Sequence, residues 1–345
     1  MDFNGGSNND AQMERLKKSG GRIGTIVGIL FLILIVGSIV VNWFTDYIWM
    51  DSLDFGTVFT TILSTKIVLG LAGFILFAII TFVTIYWIKR AYQSHFDLHQ
   101  LPPFFQRNKL VNLLILIVAL FIGLIGSVTA QGLGWEPALK LYHQVPFGET
   151  DPFFGLDISF YMYVLPFLQF AINLLLSLSI FTLVLVIGAY SVFHMYRMSK
   201  VARTHIGVTI LITGVLVAAT HLLSPFESLL TNRVNLFQSS VVHGMSYTDR
   251  IINIPAAYLL AAAAIICAIW LIIALRKGTI KGIVTPFVVY FALIIVAQGA
   301  SVVVQNFVVS PNEFNREKPY LEHNLNYTRA AYDLESMEVK EHPGN

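Results

Sequence analysis

Residues 110–130 read LVNLLILIVALFIGLIGSVTA and contain no charged side chain. A helix of about 20 apolar residues is long enough to cross the hydrocarbon core of a bilayer, which is about 30 Å thick. Six other stretches are similarly apolar, with Lys66 their one Lys, Arg, Asp or Glu residue. The full set covers residues 23–44, 58–88, 110–130, 164–193, 206–223, 254–275 and 283–304. The sequence therefore predicts an all-α fold, a bundle of seven transmembrane helices.

The distribution of Lys and Arg predicts how this bundle is oriented. Fourteen of the 22 basic residues precede the first stretch or lie in the second, fourth and sixth loops, whereas the first, third and fifth loops hold three. Short loops rich in Lys and Arg remain in the cytoplasm. We therefore expect a plasma-membrane protein with a cytoplasmic N-terminus and an extracytoplasmic C-terminus.

Composition limits the classes of function. The chain is 56% hydrophobic and 12% charged, as expected for an integral membrane protein. Its basic residues lie at helix ends, where anionic lipid attracts them, so the expected partner is the lipid bilayer and no nucleic acid is expected. Cys267 is the only cysteine, which excludes an intrachain disulfide.

Three regions are predicted along the chain. Residues 1–20, rich in Asn, Gly and Ser, are expected to form a disordered cytoplasmic tail. Residues 21–305 are the seven-helix membrane domain, and residues 306–345 are an extracytoplasmic tail that begins a truncated soluble domain. The third and fifth loops are expected to form a small extracytoplasmic cap, and other envelope proteins are possible partners of the cap and tail.

Few polar residues qualify as functional candidates. Gln169, Asn173 and Gln298 lie within predicted spans and could line a polar path, although such amides more often join helices by hydrogen bonds. Asp51 and Asp54 in the first outer loop are candidate catalytic residues. Their placement resembles that of the acids in membrane glycosyltransferases that use polyprenyl-phosphate sugars, but it also follows from the absence of basic residues in this loop.

The third loop carries Asp151 and Asp157, which we expect on an outer acidic surface. No spacing of acidic and His residues is distinctive of zinc or calcium, so no metal site is predicted. P-loop, GxGxxG, GxSxG and HExxH motifs are missing from the sequence, so no cofactor is predicted. These observations favour a non-enzymatic protein and leave an enzymatic one open.

The segment after the seventh span contains a short helical pattern in NLNYTRAAYDL, residues 324–334. Its apolar stripe is too small to bury a core alone. We expect this segment either to be loosely held or to rest on the cap through Tyr320, Tyr327 and Tyr332. Three basic residues would then be available to pair with Asp151 or Asp157, and these are Arg316, Lys318 and Arg329.

Three stretches together resemble one family. They are DPFFGLDISFYMYVLPF at 151–167, GMSYTDRIINIPA at 244–256 and PNEFNREKPYLEHNLNYTRAAYDL at 311–334. The chain is similar to the bacterial Uncharacterised Protein Family 0182, multi-pass membrane proteins whose seven-helix part is followed by a long soluble region. The resemblance implies no catalytic residue. It also implies that relatives continue beyond Leu334, so a fragment, a split gene or a natural short form is expected.

The function that these patterns favour is anchoring and organising an extracytoplasmic domain in the cell envelope. Two alternatives stay open. One is a substrate-translocating or channel-like protein that uses the mid-span amides. The other is a polyprenyl-linked transferase that uses the outer-loop carboxylates.

The charge asymmetry generates a topology prediction. Reporter fusions after residues 100 and 200 are expected to report the cytoplasm, and fusions near residues 145, 240 and 330 the opposite side. A cytoplasmic signal at residue 330 would require an even number of spans and would contradict the predicted orientation.

Overall fold

A computed structural model describes residues 6–95, 108–192, 199–230, 232–235, 238–278 and 280–334. Within these ranges the chain forms eight α-helices. They are α1 (Gly6–Asp51), α2 (Gly56–His95), α3 (Asn108–Tyr142), α4 (Leu165–Val192), α5 (Lys200–Glu227), α6 (Ile254–Lys277), α7 (Ile280–Val304) and α8 (Glu313–Ala331).

Shorter elements connect some of these helices. Strands β1 (Asn232–Asn235) and β2 (Gln238–His243) pair antiparallel, with Val234 opposite Ser239. A single π-helical turn precedes α4 and α6 and another follows α7, and the three turns are Phe160–Val164, Asp249–Asn253 and Gln305–Val309. The 3₁₀ turn Ser310–Asn312 then leads directly into α8.

In the described residues, seven helical segments are long and apolar enough to cross a membrane. They are Ile26–Asp51, Gly56–Ser94, Asn108–Tyr142, Phe160–Val192, Lys200–Glu227, Asp249–Lys277 and Lys281–Ala331, the last of which runs on into α8. This confirms the predicted all-α class and the seven apolar helices.

Several helix boundaries differ from the predicted ones. The third helix was expected to end near residue 130, but α3 continues to Tyr142. An ion pair between Glu136 and Lys140, 2.7 Å apart and one turn from each other, supports this last part of α3. Similarly, α1 begins at Gly6, before the start of the first predicted span at residue 23.

The chain divides into two compact units, residues 1–64 and 65–345. The first contains α1 and the beginning of α2, joined by a tight turn after Asp51. Asp54 in this turn has a φ of 63°, a left-handed conformation that Asp tolerates better than most residues. The rings of Tyr47 and Phe59 lie 5.8 Å apart on the two sides of the turn.

In the second unit, α3 to α7 pack in chain order, each against the next. A hydrophobic cluster lies between α2, α4 and α5 and includes Ile88, Val186 and Ile206. Two buried tyrosines, Tyr92 and Tyr190, stack in the same cluster, and the Tyr92 hydroxyl donates to the carbonyl of Ala189. This cluster joins the ends of three helices.

Small residues allow α2 and α3 to approach closely. Gly126 of α3 lies so near the Phe77 ring that a Cβ atom there would be 2.4 Å from it. Ala119 and Gly123 are buried on the same side of α3. The stripe of small residues in the third span is therefore used for packing inside the chain, as in many membrane helix pairs.

The sides of the helices that face away from this packing are apolar. Leu133 is 68% exposed, Val184 65% and Val296 66%, and many other Ile, Leu, Val and Phe side chains are similarly uncovered. A soluble protein rarely leaves so much contiguous apolar surface in water. These faces suit contact with lipid chains.

The α2–α3 contact yields a prediction with a control on the same helix. Gly126→Ala should lower the free energy of unfolding by about 1–3 kcal/mol, because the new methyl group overpacks the contact with Phe77. Gly132→Ala has open space around it and should be neutral or stabilising by up to about 1 kcal/mol, since Ala favours helix. Thermal unfolding in detergent measures both, and equal effects would contradict close packing at Gly126.

Candidate functional site

The loop between α3 and α4 is organised by the side chain of Asp151. One carboxylate oxygen accepts hydrogen bonds from the backbone N–H groups of Phe153, at 2.8 Å, and Phe154, at 2.6 Å. The other accepts from the N–H of Leu156 and the hydroxyl of Tyr161, both at 2.8 Å. Asp151 is only 8% exposed, so the carboxylate is buried and used by its own loop.

Asp157 closes the same loop from the other end. Its carboxylate accepts from the backbone N–H groups of Phe147 at 3.2 Å, Gly148 at 3.0 Å and Ser159 at 2.8 Å. A short antiparallel bridge pairs Thr150 with Asp157, which brings the two arms of the loop together. The carboxylates of Asp151 and Asp157 therefore both bind the backbone of their own loop.

These contacts set the acidity of both groups. Burial raises the pKa of Asp151, but the hydrogen bonds from Phe154, Leu156, Tyr161 and Phe153 outweigh that effect and bring its pKa below the ordinary value. Hydrogen bonds from Ser159 lower the pKa of Asp157 to about 2. Both carboxyl groups are therefore ionised at neutral pH.

A second loop segment, residues 244–249, leads into α6 through a reciprocal cap. The side chain of Asp249 accepts from the backbone N–H of Ser246 at 2.9 Å and from its hydroxyl at 2.6 Å. In return, the N–H of Asp249 donates to the Ser246 hydroxyl oxygen at 2.9 Å. This is the capping-box arrangement, which holds the first turn of a helix by pairing amides that the helix leaves without partners.

Helix α8 packs against both loop segments, which we call the platform (residues 147–159 and 244–249). The Tyr320 ring stacks on Phe153 at 5.8 Å, and the Tyr327 hydroxyl donates to the carbonyl of Thr150 at 2.8 Å. Glu317, 3% exposed, accepts from the N–H of Tyr247 at 3.3 Å. Helix α8 is thus docked on both parts of the platform through one of its faces.

Arg316 and Lys318 of α8 do not make the expected pairs with Asp151 or Asp157. The Arg316 guanidinium lies 5.1 Å from the centre of the Tyr247 ring, and Lys318 is 3.8 Å from Glu322 in its own helix. The carboxylates of Asp151 and Asp157 are occupied by backbone N–H groups instead. Of the tyrosines expected to rest on the cap, Tyr320 and Tyr327 do so, while Tyr332 is 74% exposed.

The two candidate catalytic acids lie in the first unit, in the turn between α1 and α2. Both side chains are exposed. A carboxylate oxygen of Asp51 lies beside Gly56, at 2.3 Å from where a Cβ atom would be. Asp54 supplies the left-handed residue of the turn.

The three mid-span amides are not grouped around an enclosed path. Gln169 donates to a carboxylate oxygen of Glu227 at 2.8 Å and so joins α4 to the end of α5. Asn173 and Gln298 have exposed side chains on α4 and α7. Across the part of the chain that the structure describes, no three His, Cys, Asp or Glu residues converge on a position that could hold a metal ion.

The sequence model of Uncharacterised protein family (UPF0182) matches residues 23–345, nearly the whole chain. The chain belongs to this family. No solved structure matches it.

Curated relatives of the UPF0182 chain come from diverse bacteria. It is 30% identical to a UPF0182 protein of Moorella thermoacetica over 90% of this chain and 36% of the relative. It is 31% identical to one of Micrococcus luteus, over 92% and 31%, and 27% identical to one of Alkaliphilus metalliredigens, over 88% and 34%. The chain therefore spans about a third of the length of these relatives.

Sequence reasoning missed the residues that hold the platform together. The Ser246 and Asp249 pair has the spacing of a capping box and could have been recognised before the sixth span. Glu317 had no such signal, because its partner Tyr247 lies 70 residues away and is brought to it by the fold. Glu227 was missed because the fifth span was ended at residue 223.

The hydrogen bonds of Asp151 generate a prediction. Asp151→Asn removes the charge and places an amide donor toward backbone donors, so it should lower the free energy of unfolding by about 1.5–3 kcal/mol at pH 7. Glu149→Gln, an exposed acid in the same loop, should change it little. Thermal unfolding in detergent measures both.

The difference in stability between the wild-type protein and Asp151→Asn depends on pH. The folded-state pKa of Asp151 is below its ordinary value of 3.8, so its stabilisation is complete above about pH 5 and is lost as the pH falls through the lower folded value. The stability difference between wild type and Asp151→Asn should shrink below pH 3.8. A difference that grows on acidification would contradict the assigned hydrogen bonds.

Proposed function

We propose that this UPF0182 chain is an integral plasma-membrane protein that anchors an extracytoplasmic region and fixes its position through α8. The observation that carries the proposal is the docking of α8 on the platform. Because α7 continues through the turns at 305–312 directly into α8, this helix links the membrane bundle to whatever follows residue 334.

The chemistry of the platform supports a structural role. Asp151 and Asp157 are occupied by backbone N–H groups, and Glu317 by Tyr247, so the acids serve to hold the two loops and α8 in place. Aromatic stacking of Phe153 with Tyr320 adds an apolar contact. A docked helix with such contacts can hold a following domain at a defined angle.

The orientation is part of the proposal and is supported by the charge pattern. The loops that carry most Lys and Arg are those at the opposite ends of the helices from the platform. By the positive-inside rule, the platform and α8 then lie on the extracytoplasmic side. The third and fifth loops together with α8 would make up the small cap.

Pulsed electron spin resonance tests whether α8 is held rigidly. In a Cys267→Ser background, spin labels at Tyr142→Cys and Tyr332→Cys use two exposed positions, 82% and 74% exposed. The proposal predicts a narrow distribution of distances between the labels in nanodiscs. A broad distribution in the otherwise unaltered chain would contradict it.

A matched pair of variants tests which contact holds α8 rigidly. Phe153→Ala combined with Tyr320→Ala removes the stacked rings and should broaden the distance distribution. Phe314→Ala removes a ring from α8 that is 70% exposed, and it should leave the distribution narrow.

A complementation assay of an envelope phenotype distinguishes the two other functions, translocation and polyprenyl-linked transfer, because different variants should lose activity. A translocating protein should lose activity on Gln169→Leu, because Gln169 is a mid-span amide and its bond to Glu227 is one of the polar contacts that join α4 and α5. A polyprenyl-linked transferase should lose activity on Asp51→Asn or Asp54→Asn. The anchor proposal predicts that only variants of the α8 docking contacts fail to complement.

A further inference from the structure

An apolar groove opens between α4, α5, α6 and α7. Its volume is about 310 Å³ and its walls are almost entirely hydrocarbon. Among the lining residues, Ile206 and Val217 belong to α5, Leu271 and Leu275 to α6, and Ile283 to α7. The groove lies within segments long and apolar enough to cross a membrane.

A groove of this kind is suited to an apolar guest. Apolar cavities of about 150 Å³ in other proteins stay free of water and take up small hydrocarbons, and this groove is about twice that size. Left empty, its walls would lose dispersion contacts on one side. In a bilayer the abundant apolar molecules are lipids, so a lipid chain is the expected guest.

The shape of the groove fits a single acyl chain. Along α5 its lining extends from Ile206 to Val217, which corresponds to about 16 Å at 1.5 Å per helical residue. It is therefore elongated along the helices, in the direction in which acyl chains run in a bilayer.

The basic residues at one end of the groove indicate that the lipid headgroup is anionic. Leu275 directly precedes Arg276 and Lys277, Ile283 follows Lys281 by two residues, and Ile206 follows Arg203 by three. The sequences of α4, α6 and α7 contain no Asp or Glu, and that of α5 has only Glu227 at its opposite end. Positive charge at this end is therefore not offset by acids of the helices that line the groove.

We propose that this groove binds one acyl chain of an anionic phospholipid of the surrounding bilayer, with the lipid phosphate held by the basic residues at the α6–α7 turn and the start of α5. Basic pockets between transmembrane helices hold anionic headgroups in this way. The site is separate from the platform and does not depend on its proposed role.

Native mass spectrometry can test the site directly. The purified protein is placed in nanodiscs made of equal amounts of phosphatidylglycerol and phosphatidylethanolamine with identical acyl chains, and is then released into the gas phase. The expected result is one retained phosphatidylglycerol per chain. Retention of both lipids equally, or of neither, would overturn the proposal.

Two pairs of variants separate the chain contact from the headgroup contact. Leu271→Trp fills the groove and should abolish retention, whereas Ile273→Trp, a 47% exposed position on the same helix, should not. Ile283→Trp fills the groove from α7 and serves if Leu271→Trp does not fold, as judged by thermal unfolding. Unchanged retention in a folded groove-filling variant would contradict the proposed location.

Removing charge should change the lipid preference. Arg276→Gln with Lys281→Gln should lower phosphatidylglycerol retention about 25-fold, since each basic residue near an anionic headgroup contributes about fivefold in affinity. Arg90→Gln with Lys109→Gln removes the same charge from exposed positions on α2 and α3 and should leave retention unchanged. Equal losses in the two double variants would show a general charge effect and overturn the headgroup assignment.

Discussion

A backbone amide inside a bilayer has no water to bond with, so its N–H and C=O groups must find partners within the protein. This constraint explains why the apolar part of the chain consists of long helices, because a helix satisfies its own backbone. Where the chain is not helical, its backbone N–H and C=O groups still need hydrogen-bond partners. The ends of the helices and the loops beside them need other acceptors and donors.

Side-chain carboxylates satisfy that requirement at the platform. Asp151 accepts from three backbone N–H groups, Asp157 from three more, and Asp249 from Ser246 at the start of α6. Each of these acids takes the place of a backbone carbonyl that the loop does not provide. These three acids therefore act as structural partners of the backbone, and α8 docks on the surface that they organise.

Part of the fold could be predicted from the sequence alone, whereas most contacts of the platform could not. The positions of the seven apolar helices follow from the length of uncharged sequence, which is a local property. Helix ends were less well predicted: α3 continues past residue 130 to Tyr142, because a helix can extend beyond the apolar region when pairs such as Glu136 and Lys140 support it.

Opposite charge alone suggested that Arg316 would pair with Asp151, and it lies against Tyr247 instead. The partners of Asp151 depend on the path of the loop, including the left-handed Gly155 (φ 69°), which charge patterns do not reveal.

Hydrogen exchange of α8 in lipid nanodiscs tests most directly whether this helix is docked on the platform. Helices in proteins gain most of their stability from tertiary packing, and α8 also contains Pro319, so its amides would exchange rapidly if it were not docked. The account predicts that the amides of α8 and of residues 150–158 are protected and exchange together, as one cooperative unit. Rapid exchange of α8 while the loop stays protected would contradict it, since the platform would then be folded without holding the helix.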